Sequence, residues 1–87
     1  MDTTKIIVWA NPTDPFQQIY VFKDGNLVDK MNTTPNYITK VVLDFVNKHQ
    51  INSVDFAGTR VFCEHFMTSL QEEAIVNYKE LNINFVE

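Results

Sequence analysis

Eighty-seven residues, with seven basic and eleven acidic side chains, two glycines, three prolines and one cysteine, exclude several kinds of protein at once. A chain of this length makes a single domain, residues 1–87, around one core. Its 45% hydrophobic and 13% aromatic content lets it fold without metals or disulfides, and a net charge of −4 is too small to favour disorder. Cys63 stands alone, so it has no internal disulfide partner and no thiolate cluster for structural zinc. A reducing, cytoplasmic setting follows as the simplest expectation.

The charge is unevenly spread. Residues 1–60 balance six basic side chains against six aspartates, whereas residues 61–87 carry five glutamates and only Lys79. No basic cluster of the kind that binds phosphates is present, which argues against nucleic acid as a partner. Five separated glutamates suit the solvated face of a helix. The start Met-Asp-Thr-Thr-Lys is not a basic leader, and Asn11 and Pro12 interrupt the apolar run Ile6–Ala10, so neither a signal peptide nor a membrane span is expected.

Lys5–Ala10 predicts a strand, continuous in β-favouring residues and so suited to the centre of a sheet. Asn11-Pro12-Thr13-Asp14-Pro15 predicts a loop. Gln18–Lys23 predicts a second strand, Asp24-Gly25-Asn26 a tight hairpin, and Leu27–Asn32 a third strand whose Asp29 and Lys30 suit an edge. Thr34 then caps a helix with Pro35 at its first position. Ile38, Val41, Val42, Phe45 and Val46 form its apolar stripe, and it ends near His49. Ile51–Ala57 predicts a short strand with Val54 and Phe56 on one face and Ser53 and Asp55 on the other. Gly58-Thr59 turns into a second helix over about residues 60–78, lined by Phe62, Phe66, Leu70 and Ala74. The alternation in Leu81–Val86 predicts a last, half-buried strand.

The order is β-β-β-α-β-α-β: an α/β fold with a five-stranded mixed sheet, order 3-2-1-4-5, strand 2 antiparallel to the rest. Both crossovers move the same way across the sheet; if both are right-handed, both helices lie on one face. This element order resembles the core of the ribonuclease-H-like superfamily, which includes RuvC-type resolvases and the actin-like ATPase half-domain. Nucleases of that group hold two divalent metals with converging carboxylates, one of them within the first strand. Here Ile6-Ile7-Val8-Trp9-Ala10 has none, and only Asp14 and Asp55 lie near. The actin-like members use glycine-rich hairpins around phosphate; this chain offers Gly25 and Gly58 alone. The resemblance therefore carries a fold and no catalytic motif.

Other chemistry is equally sparse. Cys63 and His65 are two apart on a helix and face different ways. His49 and His65 are isolated, and Ser53 and Ser69 have no evident base. The sequence points away from an enzyme, and no cofactor or metal is expected. One crevice is still implied. Ligands in such sheets favour the carboxyl ends of the strands where the strand order reverses. Asn11, Thr13 and Asp14 after strand 1 and Gly58, Thr59 and Arg60 after strand 4 should gather there. Arg60, the sole arginine, stands at a helix start that could attract an anion or nucleotide.

Shortness gives the other expectation. With both helices on one face, nothing remains to cover the opposite one. Strands 1 and 2 are apolar on both sides, so either Ile7, Trp9, Tyr20 and Phe22 or Ile6, Val8, Ala10, Ile19 and Val21 is left outside. The aromatic set has the composition of an interface. The expected function is a small interaction module, binding a protein partner or itself through the open face or an edge strand. Its size, acidity and nine asparagines also suit an accessory or inhibitor protein of an AT-rich genome, such as that of a bacterial virus. The competing expectation is a reduced ribonuclease-H-like protein that binds nucleic acid, metal or nucleotide at the crevice.

Overall fold

In the computed structural model, residues 4–76 and 80–86 are described. Five strands, β1 (Thr4–Ala10), β2 (Gln17–Lys23), β3 (Asn26–Thr33), β4 (Ser53–Gly58) and β5 (Asn82–Phe85), form one sheet in the order β3-β2-β1-β4-β5. β2 is antiparallel to both β1 and β3, while β4 runs parallel to β1 and to β5. Two helices, α1 (Ile38–His49) and α2 (Arg60–Val76), supply the crossovers. The final two positions expected for the second helix lie outside the described residues.

Local chemistry explains most boundaries. Asp24 and Gly25 both take positive φ, 52° and 84°, which the two-residue hairpin between Lys23 and Asn26 requires. One extra residue, Val28, enters β3 between the Phe22–Leu27 and Val21–Asp29 pairs, so the edge strand is bulged. Gln50 closes α1 in the left-handed conformation, at φ 57°, and its N–H bonds the Val46 carbonyl.

The start of α1 differs from the expected cap. Thr34 makes no side-chain capping bond, and Pro35–Tyr37 forms a turn of 3-10 helix before the α-helix opens at Ile38. The N–H groups of Tyr37 and Ile38 reach back three residues, to Thr34 and Pro35, so the tighter turn satisfies donors that the threonine hydroxyl does not.

Burial decides which side of the sheet the helices cover. Ile6, Val8, Ala10, Ile19, Val21, Val54 and Phe56 are fully buried, together with Ile38 and Val42 of α1 and Cys63, Leu70 and Ala74 of α2. α1 packs on β1 and β2, α2 packs on β4 and β5, and the helices touch each other. Both therefore share one face and one core, with Phe62, Phe66, Ile83 and Phe85 partly buried at its margin. Among the described residues no helix is long and apolar enough to cross a membrane.

Candidate interaction surface

Residues paired directly across a sheet share a face, so the registers map the side opposite the helices. At the level of Ile7 the row runs Lys30, Tyr20, Ile7, Asp55, Asn84. At Trp9 it runs Asn32, Gln18, Trp9, Ala57, and at Lys5 it runs Leu27, Phe22, Lys5. Val86, just beyond β5, joins Trp9 and Ala57 around a shared groove.

The result is an apolar band crossing the sheet diagonally: Leu27, Phe22, Tyr20, Ile7, Trp9, Ala57, Val86. Trp9 is 41% exposed, Leu27 49% and Val86 47%, while Ile7, Tyr20 and Phe22 are half-buried. The Tyr20 and Phe22 rings sit 6.4 Å apart at a 45° tilt, a favourable aromatic geometry. All four residues of the aromatic set named from the sequence thus lie together on the face opposite the two helices. Leu27, Ala57 and Val86 extend it. Their membership follows from cross-strand register, which no local pattern specifies.

The polar residues of this face are organised. Lys5 and Asp55 pair across β1 and β4 at 3.8 Å. Lys30 stands on the β3 side of the face, opposite Tyr20. Phe16, in the loop after β1, is itself exposed.

At the carboxyl ends of β1 and β4 the strand order reverses, and an open groove is lined by Trp9, Ala57, Gly58, Arg60, Phe85 and Val86. Gly58 has φ +110°, and a Cβ there would lie 2.4 Å from the Ala10 carbonyl oxygen, so β4 approaches β1 as only glycine permits. The next N–H, of Thr59, donates to that same oxygen at 3.0 Å. Arg60 lies 5.4 Å from the Phe85 ring centroid, a cation–π distance, and its Nε is 3.5 Å from Glu64. Of the residues expected at the crevice, Gly58 and Arg60 line the groove and Thr59 ties β4 to β1.

The Asn11 side chain is directed into its own loop, whereas that of Asp14 reaches out of it to Trp9. Asn11 Oδ1 accepts from the Thr13 N–H at 3.1 Å and the Thr13 hydroxyl at 2.9 Å, and the Asp14 N–H bonds the Asn11 carbonyl at 3.1 Å. Asp14 Oδ2 accepts from Trp9 Nε1 at 3.4 Å, the long end of hydrogen-bond range. Asp14 thus meets the aromatic band at its rim.

The residue that sequence reasoning missed is Gln17. Its side chain is fully buried and holds the loop from within, accepting the Asn11 N–H at 2.7 Å and donating to the carbonyls of Asn11 and Asp14 at 3.1 Å. A glutamine opening a strand carries no local signal of burial; only the loop folding over it creates the need.

Elsewhere, Cys63 is buried, its thiol 3.4 Å from the Ala57 carbonyl and 3.7 Å from that of Ala10, and burial pushes the thiol pKa up. Asp29 accepts from Lys48 Nζ and contacts His49 Nε2, each at 3.1 Å, fastening the bulged edge strand to the end of α1. The His49 ring, then the Lys48 ammonium, holds the Asp29 carboxyl below the usual carboxylate range. A more polar groove between the helices is lined by Asn36, Lys40, Asp44, Asn47 and Glu73, among others. Among the described residues no three His, Cys, Asp or Glu side chains gather as a metal site would need. Comparison of the chain with protein-family models, with curated proteins and with solved structures returned no match.

Proposed function

We propose that this chain is a small, non-catalytic protein-interaction module and that the open face of its sheet is the binding surface. One observation carries the reading: the band from Leu27 to Val86, with Trp9 and Tyr20 near its centre, lies on a face that neither helix covers. Contiguous apolar surface on a small domain marks contact sites, and Trp and Tyr are over-represented among residues that dominate binding energy.

The face is a better candidate than the β3 edge. A bulge breaks that edge, Lys30 projects from it, and Asp29 is fastened to Lys48 and His49. Such features blunt an edge against strand addition. A buried, reduced Cys63 suits work in the cytoplasm.

The test is affinity capture from the source cell with the whole chain as bait, comparing wild type with Trp9→Ala and Tyr20→Ala. A specific protein, or untagged copies of the chain, should be retained by wild type and lost from both variants, with circular dichroism confirming their folds. Equal recovery by all three baits overturns the reading.

A further inference from the structure

We infer that the occupant of the open face is a second copy of this chain, packed sheet to sheet about a two-fold axis running along β1. The inference rests on the open-face reading and adds the partner and its geometry.

The face has two unlike halves. The β2–β3 half carries large side chains and a cation: Leu27, Phe22, Tyr20 and Lys30. The β4–β5 half carries mostly small or polar side chains and a carboxylate, Ala57, Asp55 and Asn84, with Val86 at its far end. β1 lies between them, with Ile7 and Trp9 on the open side. A two-fold axis along β1 exchanges left for right, so the bulky half of each copy faces the slender half of the other. Large-over-small contact is what lets facing layers interdigitate.

The charges follow the same exchange. In the Ile7 row, Tyr20 of one copy faces Asp55 of the second copy. Lys30 then sits one strand spacing away, about 4.8 Å to the side, within reach of that carboxylate across sheets packed about 10 Å apart. The pair forms twice, once on each side of the axis. Lys5 lies near the axis, and its pairing with Asp55 at 3.8 Å draws it toward its own β4 and away from the Lys5 of the second copy. Ile7 and Trp9 meet their counterparts on the axis.

The area is sufficient for a modest dimer. Five strands at about 4.8 Å make the sheet about 24 Å wide, and seven residues at about 3.3 Å make its central strands about 23 Å long. Two such faces together bury on the order of 1,000 Å², the lower end of specific interfaces.

The experiment is sedimentation equilibrium on the full chain with emission from Trp9, the single tryptophan, followed over the same concentrations. Wild type should dimerise, with a blue shift of Trp9 emission that tracks association. Lys30→Glu and Asp55→Lys should each weaken the dimer about tenfold or more by placing like charges together. An equimolar mixture of the two variants should associate to within about threefold of wild type, because both crossing pairs are then opposite in sign. This mixing arm distinguishes pairing across the face from simple damage to the fold.

A wild-type chain that stays monomeric at high concentration, or a mixture no tighter than its components, overturns the two-fold pairing. If wild type is monomeric while Trp9→Ala and Tyr20→Ala lose a captured protein, the open-face reading stands and self-pairing falls. A dimer indifferent to the charge reversals and to Trp9→Ala removes both.

Discussion

The side-chain amide of Gln17 and the backbone of Asn11 are joined by hydrogen bonds in both directions, N–H to Oε1 at 2.7 Å and Nε2 to carbonyl at 3.1 Å. With its second bond to the Asp14 carbonyl, this buried amide replaces the partners that a short loop cannot find in itself. The loop carries Asp14 up to Trp9 at the rim of the aromatic band. Gln17→Leu keeps the volume but leaves the Asn11 N–H and two carbonyls without this partner. It should cost about 2–3 kcal/mol, read as a lower midpoint in urea unfolding. An unchanged midpoint would remove Gln17 from the supports of the loop.

Gly58 should tolerate no side chain. Its positive φ and the 2.4 Å approach to the Ala10 oxygen add backbone strain to a steric clash with main chain. Gly58→Ala is expected to destabilise by more than about 2 kcal/mol, while Gly25→Ala, where a Cβ meets nothing within 4 Å, should cost only about 1 kcal/mol for its positive φ. Equal losses at the two glycines would contradict the close approach of β4 to β1.

Asp29 gives the protein a defined acid dependence. Its carboxyl titrates lower in the folded state because His49 and Lys48 favour its charged form. Its contribution is therefore full above the unfolded carboxylate value of about 3.9 and disappears as pH falls through the lower folded value. Asp29→Asn should be less stable than wild type at neutral pH, and the deficit should shrink on acidification below that range. Urea midpoints followed from neutral to strongly acid pH will show it; a deficit constant with pH would remove the electrostatic account.

Cys63 should be inert in the folded protein. Its thiol is enclosed and its pKa raised by burial, so little thiolate forms and reagents lack access. Modification by an aromatic disulfide reagent should proceed only as fast as the chain opens and become rapid in denaturant. Fast labelling under native conditions would contradict the packing of α2 on β4.

Much of the architecture was legible because it depends on short-range chemistry. Asp24-Gly25 specifies its hairpin through positive φ, Val54 and Phe56 alternate with Ser53 and Asp55, and the spacing Ile38, Val42, Phe45, Val46 places one helical face in the core. These residues act on neighbours within a few positions, so their pattern shows before the chain folds. The start of α1 was less legible, because Thr34 and Pro35 serve an α-helix and a 3-10 turn equally well and the choice rests on backbone geometry.

What the sequence determined by itself was the order of elements and the fact that strands 1 and 2 carry two apolar sides. Which side turned outward was decided only in three dimensions. Ile6, Val8, Ile19 and Val21 pack beneath α1 and α2 with full burial, and every second residue of each strand must then point the other way. The same step joined Lys5 to Asp55, enclosed Gln17 under its loop and aligned Leu27, Ala57 and Val86 with the aromatic set. Those relationships link residues far apart in the chain. They arise from strand register, a property of the assembled sheet that no single segment contains.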